Sequence, residues 1–116
     1  MHELSITSAI LKTVLRHARR QRAARVHRIL LVVSELSDLQ PVWMQHYFDR
    51  VSRGSIAERA RLEIEHQAPQ FACNDCSAGF AVSLRTVDRV VCPHCGSGSC
   101  TLTRRADYIV EEIEVS

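Results

Sequence analysis

The sequence predicts an α+β fold: a small mixed β-sheet packed with two α-helices, and a cysteine-rich module inserted ahead of the last strand. Three observations predict it. Two segments repeat apolar residues at helical spacing, β-branched or alternating segments lie between and after them, and four of the five cysteines form two C-x2-C pairs in one short region. At 116 residues, 46% hydrophobic and 24% charged, the chain suits one compact domain or a small domain with a smaller module attached, and is expected to be ordered.

The first element is "SITSAILKTVLRHAR" (5–19), with Ile6, Ala9, Ile10, Thr13, Val14 and Ala18 at helical spacing. Ser5 reads as its N-cap, so the helix is expected to begin just after Leu4. "VHRILLVVSEL" (26–36) is β-branched and too short for a typical buried helix; it reads as a largely buried strand. "PVWMQHYFDRVSRG" opens on Pro41, suited to a first helical turn, and closes near Gly54, suited to a helix stop. Val42, Phe48 and Val51 are its expected buried stripe, with Trp43 and Tyr47 on the border. In "ARLEIEH", Ala60, Leu62 and Ile64 alternate with charged residues, the pattern of a half-buried strand, and Pro69 ends it. "DYIVEEIEV" offers the last strand through Tyr108, Val110, Ile113 and Val115; its alternation slips at Glu111–Glu112, where a bulge or strand end is expected. That strand most simply rejoins the first sheet. Residues 1–69 together with 101–116 then form one α/β domain, and 70–100 an inserted module.

The net charge of +2 is unevenly spread. Arginines bunch between Arg16 and Arg28, while Asp107, Glu111, Glu112 and Glu114 make the C-terminal end acidic. The basic stripe suits a solvated helix face, or alternatively phosphates or an acidic partner. The start lacks a basic signal region, and the longest aliphatic run, Ile29 to Val33, is far too short to span a bilayer. The expected location is the cytoplasm, with no membrane association. Thiols stay reduced there, so the cysteines read as metal ligands or redox thiols rather than disulfides.

"CNDC" and "CPHC" set Cys73, Cys76, Cys92 and Cys95 in a C-x2-C, fifteen-residue, C-x2-C arrangement. Each pair turns two thiolates toward one point, and two such knuckles complete a tetrahedron whose natural occupant is Zn(II), giving a zinc-ribbon-like module. Such a closed site has no open coordination position and is scaffold rather than catalyst. An iron centre of the same geometry stays open on spacing alone. A thioredoxin-type dithiol fits worse, because neither pair leads into a helical pattern. Gly79, and Gly96 with Gly98, are expected to relieve the tight knuckle turns. Cys100 is left over as a small core filler or free thiol, and few large aliphatics surround the cysteines, so the module is expected to depend on its metal. His17, His27, His46 and His66 lack ligand-like pairing. No nucleophile–base pair, phosphate-cradling glycine loop or paired catalytic carboxylates occur, so the chain reads as a binding protein and not an enzyme.

"MHELSI" puts His2 and Glu3 directly behind Met1. The Met1 amine, the His2 amide nitrogen and the His2 imidazole can close two fused chelate rings on one ion, a nitrogen field suited to Ni(II) or Cu(II). Glu3 could fill a fourth position through its amide or carboxylate. Met1 is expected to be retained, because its removal generally needs a small second residue.

"MHELSI", "VSELSDLQPVWMQHYF", "AERARLEIE", "CPHCGS" and "EEIEV", in this order along essentially the whole chain, resemble the HypA/HybF family of nickel metallochaperones for [NiFe]-hydrogenase maturation. The resemblance implies a nickel-binding α/β domain that includes the extreme N-terminus, and an inserted zinc module. It implies His2 as the nickel ligand with Glu3 beside it, and Cys73, Cys76, Cys92 and Cys95 as zinc ligands. It also implies a nickel-handling GTPase and the hydrogenase large subunit as partners, and in some relatives a role in urease maturation. Two features depart from the family pattern: "TRRADY" replaces a glycine-containing turn before the last strand, and His94, between two cysteines, is the sole histidine of the module.

A nickel carrier is therefore the leading expectation, in which nickel is cargo and zinc is structural. The runner-up is a zinc-ribbon nucleic-acid-binding protein using the Arg16–Arg28 stripe, and a thiol oxidoreductase comes third. Nickel bound beside zinc, salt-dependent nucleic-acid binding, or titratable thiols in the zinc-loaded protein would separate the three. A monomer and a homodimer, the latter by exchange of the strand flanking the insertion, both fit the sequence.

Overall fold

The computed structural model describes residues 2–103 and 107–116, with the His2 side chain outside the described set. The Met1 amine, the His2 imidazole and the Arg104–Ala106 part of "TRRADY" therefore lie outside the described residues. The elements run α1 (His2–Arg20), β1 (Val26–Ser34), α2 (Pro41–Val51), β2 (Arg61–Gln67), β3 (Gln70–Cys73), β4 (Gly79–Ala81), β5 (Cys100–Leu102) and β6 (Tyr108–Val115). They form two three-stranded sheets, ordered β2-β1-β6 and β4-β3-β5. Two compact units result: Met1–Val33 with Asp38–Glu65 and Tyr108–Ser116, and Ser34–Ser37 with His66–Asp107.

In the first unit, α1 starts at His2, three residues ahead of Ser5 itself, so Ser5 is not its cap. Nothing in His2-Glu3-Leu4 opposes helix, and Glu3 places negative charge at the positive end of the helix dipole. The face turned to the core is Thr7, Ile10, Val14 and Ala18, all fully buried, whereas Ala9 is exposed. Thr7 is tolerated there because its hydroxyl donates to the Leu4 carbonyl at 3.0 Å. The helix ends in a Schellman arrangement: Ala23 N–H bonds the Ala18 carbonyl and Arg22 N–H the Arg19 carbonyl, both at 3.0 Å, with Arg22 at φ +52°.

The buried stripe of α2 is Met44, Tyr47 and Phe48, and Val42 is 78% exposed. The expectation of a buried Val42 fails on helical phase. Val42 stands two residues, about 200°, from Met44, while Tyr47, Phe48 and Val51 follow Met44 at i+3, i+4 and i+7. Trp43 stays on the border, half-exposed, its ring stacked on Tyr47 at 6.1 Å.

β1 buries Val26, Ile29, Leu31 and Val33 on one face, and leaves Arg28, Leu30 and Val32 only half-buried on the other. The last strand rejoins this sheet, as the sequence order suggested: β6 pairs antiparallel with β1. Two bulges set the register. Pairing steps from Val26↔Val115 to Arg28↔Glu114, skipping His27, and from Leu30↔Glu112 to Leu31↔Val110, skipping Glu111. The second bulge sits at the phase slip visible in "VEEI". It lets Tyr108, Val110, Ile113 and Val115 all pack against the core. Arg28, at the end of the basic stripe, is tied to Glu63 at 3.0 Å and Glu114 at 3.5 Å, which holds its guanidinium charged more firmly than usual.

The second unit has little apolar interior. Within 66–107, Pro69, Cys73 and Cys92 are the only fully buried residues among those described. β3 pairs antiparallel with both β4 and β5, and one cross-strand aromatic pair, Phe71 on Phe80, stacks at 5.9 Å.

Candidate metal centre

The two C-x2-C pairs fold as the same knuckle twice. Cys73 N–H donates to the Ala78 carbonyl at 2.9 Å and Ser77 N–H to the Cys73 carbonyl at 3.0 Å. In the second copy Cys92 N–H donates to Ser97 at 2.8 Å and Gly96 N–H to Cys92 at 2.9 Å. Each turn closes on a residue of positive φ, Ser77 at +64° and Gly96 at +76°. Gly96 fills the expected role, because glycine carries no Cβ to clash there. Gly79 does not: the corresponding position is Ser77, and Gly79 belongs to β4.

The knuckles face each other. Cys73 Sγ lies 3.5 Å from Cys95 Sγ, Cys76 Sγ lies 3.6 Å from Cys92 Sγ, and all four sulfurs fall within 4.8 Å of one another. Sulfurs at about 2.3 Å from a tetrahedral zinc ion would stand about 3.8 Å apart, so the cluster has the size that ion requires. Among the described residues it is the one group of three or more Cys, His, Asp or Glu side chains so assembled. Cys73 and Cys92 are buried, and Cys76 and Cys95 exposed.

Electrostatics divide the four thiols into two pairs. The N–H groups of Cys76 and Asp75, each 3.4 Å from Cys73 Sγ, favour its thiolate, and its pKa falls to about 6. Cys92 is also lowered: burial opposes ionisation, but the backbone N–H groups of Cys95 and His94 outweigh it. Cys95 has the Ser97 N–H in its favour, yet it is pushed up to about 12 because it donates its proton to Cys73, is desolvated, and neighbours Cys76 and Cys92. Cys76 is raised likewise: the Ala78 N–H favours its thiolate, but proton donation to Cys92 and desolvation prevail. Four crowded sulfurs thus ionise only in part when protons are their sole counterions. A divalent cation supplies the charge that lets all four become thiolates.

Sequence reading missed the links between the knuckles. Ser97 Oγ donates to the Asp75 carboxylate, Asn74 donates to Ser99 Oγ at 3.1 Å, and Thr101 donates to Asn74 Oδ1 at 2.9 Å. The polar residues inside and after the C-x2-C pairs were the available signal. Cys100 pairs with Cys73 across β3 and β5, is raised by burial and then by the Cys73 and Cys92 thiolates, and is not one of the four. Glu3 is half-buried in the first turn of α1, and His94 is exposed. His46 packs edge-on against Trp43 and Tyr47, and His27 Nε2 meets Ser116 Oγ at 2.8 Å.

This combination defines a class: a small metal-binding protein in which a four-thiolate module is inserted between two strands of an α/β unit. No helix among the described residues is long and apolar enough to cross a membrane. Residues 1–115 match the family model described as "Hydrogenase/urease nickel incorporation, metallochaperone, hypA", and the chain belongs to the HypA family. It is 35% identical over 115 residues to the hydrogenase maturation factor HypA of Azotobacter chroococcum, covering 99% of each chain. It is 31% identical over 114 residues to that of Moorella thermoacetica, covering 98% of each. The fold is that of two solved structures. A solution structure of HypA protein has TM-score 0.74 at 24% identity, covering 100% of this chain and 97% of that one. The Ni metallochaperone HypA from Helicobacter pylori has TM-score 0.70 at 22% identity, covering 97% and 96%.

Proposed function

We propose that this chain carries Ni(II) as cargo on donors at its N-terminus, and holds Zn(II) structurally on Cys73, Cys76, Cys92 and Cys95. In this reading the His2 imidazole is the nickel ligand, with the Met1 amine and the His2 amide completing a chelate and Glu3 beside it. The first unit is the nickel-binding domain, expected from the sequence as 1–69 with 101–116, and the second is the zinc module, expected as 70–100 and extended to Asp107 by the pairing of β5 with β3. The protein passes nickel, with a nickel-handling GTPase, to a [NiFe]-hydrogenase large subunit or a urease. It works in the cytoplasm and catalyses no reaction itself.

The observation that carries the reading is the closure of the four-sulfur cluster. Four thiolates fill the coordination of a tetrahedral ion and leave no open position at which a receiving protein's ligand could begin to take it. A carrier in this family therefore needs a second, open site, and no second cluster assembles among the described residues. The start of α1 suits that role: the first N–H groups of a helix have no intrahelical acceptor, so the His2 and Glu3 amides are not committed to the helix ladder. An incomplete chelate there also suits transfer, because a receiving protein can add ligands before the donor releases its own.

Elemental analysis before and after nickel addition and desalting tests the proposal. One retained zinc before, and one zinc plus one nickel after, is the expected result; zinc lost in proportion to nickel gained would place both metals on the cysteines and contradict it. Nickel affinity should also fall as pH drops through about 6–7, because an imidazole and an amine must give up protons to bind. An affinity flat from neutral to mildly acid pH would count against nitrogen ligation.

A further inference from the structure

We infer that the first unit contains an anion site, a pocket built by Arg53, Arg59 and Arg61 that takes a small phosphate-bearing molecule. The pocket has a volume of about 500 Å³, and Gln45, Asp49, Glu58 and Ala60 complete its lining. That size lies within the range of small-ligand sites.

The local chain geometry explains how three arginines, each exposed, come to line one pocket. Gln45, Asp49 and Arg53 follow one another at four-residue spacing along α2 and into the turn beyond it. The chain then folds back through a turn closed by Ala60 N–H on the Ala57 carbonyl at 3.0 Å, and leaves along β2 from Arg61. Gln45 ties the two sides together. Its amide donates to Ala60 carbonyl at 3.2 Å, and its carbonyl accepts Leu62 N–H at 2.8 Å.

The lining holds three arginines against two carboxylates, a net excess of one positive charge, and each carboxylate is turned to a neutral donor rather than to an arginine. Asp49 accepts from Gln45 Nε2 at 2.8 Å, and Glu58 accepts Gly54 N–H at 3.3 Å. Among the described residues, Arg53, Arg59 and Arg61 make neither an ion pair nor a side-chain hydrogen bond. Arginines that line one concavity without an ion-pair partner are suited to the bidentate recognition of phosphate oxygens.

Arg59 makes the case testable. It sits at φ +68°, third in the Ala57–Ala60 turn, a position that favours glycine. Arginine there costs backbone energy, so Arg59→Gly relieves strain while removing one guanidinium. Were Arg59 no part of the pocket, the glycine variant would gain stability and bind as wild type does. A residue retained for the pocket gives a more stable variant that binds worse.

The experiment is calorimetric titration of the zinc-loaded protein with inorganic pyrophosphate, orthophosphate and ADP, with thermal melting of each variant. Saturable binding of pyrophosphate or ADP is expected. Arg59→Gly and Arg61→Ala should each weaken it about tenfold or more, and Arg59→Gly should also raise the melting temperature. Arg22→Gly, the same change at another positive-φ arginine outside the pocket, should raise stability and leave binding within twofold. Tighter binding of ADP than of pyrophosphate assigns a nucleotide, and equal binding an inorganic phosphate. No saturable binding of any of the three by wild type, or wild-type affinity in Arg59→Gly, overturns the site. Neither result bears on nickel, which is measured separately.

Discussion

At the scale of single residues, the metal module owes its shape to where backbone N–H groups point. The N–H groups of Cys76 and Asp75 reach Cys73 Sγ, and Ser77 and Gly96 turn the chain so that each second cysteine can face inward. The two copies differ in one respect: serine occupies the left-handed position that glycine fills in the other. Ser77→Gly should therefore stabilise the second unit by up to about 1 kcal/mol, the relief of left-handed strain less the extra freedom of glycine in the unfolded chain. Chelator-induced unfolding followed at Phe71 and Phe80 would read this, with the midpoint moving to higher chelator concentration. An unchanged or lower midpoint would mean the Ser77 side chain matters more than its backbone.

At the scale of elements, phase decides which side chains are buried, and phase is where sequence reading was both strongest and weakest. The slip at Glu111–Glu112 was legible because two charged residues interrupt a strict alternation, and a bulge stands there. The bulge at His27 was less legible, because Arg28 and Leu30 are both half-buried and blur the alternation. In α2, three apolar residues (Val42, Trp43, Met44) cover nearly every direction around the helix, so apolarity alone did not choose among them. Packing chose Met44, Tyr47 and Phe48. The Ser5 cap failed because a good capping residue does not end a helix when the residues before it also favour helix. The four cysteines were fully legible, since their spacing alone implies convergence. From the phase, Phe48→Ala should cost about 3–5 kcal/mol and Val42→Ala under about 0.5 kcal/mol. Denaturant unfolding of the two variants checks this, and comparable losses would contradict the phase.

At the scale of the whole molecule, the two units differ in what holds them. The first has a continuous core from Ile10 and Val14 through Ile29 and Leu31 to Phe48. Within 66–107, two of the three fully buried described residues are metal-ligand candidates, so removing the ion removes most of that unit's reason to fold. Replacing Cys73 or Cys92 with serine should lose zinc and disorder 70–100, while the first unit keeps its amide protection in hydrogen exchange. Full zinc occupancy in either variant would contradict the four-cysteine assignment. The central claim, that nickel rides on the N-terminus while zinc only builds the module, is tested most directly by nickel calorimetry on His2→Ala with zinc assayed in parallel. A one-residue extension before Met1 serves as the companion variant, since it converts the amine to a peptide nitrogen without touching the imidazole. His2→Ala should lose tight nickel binding, the extended protein should bind nickel more weakly, and zinc should be unchanged in both; wild-type nickel affinity in His2→Ala would contradict nickel binding at the N-terminus.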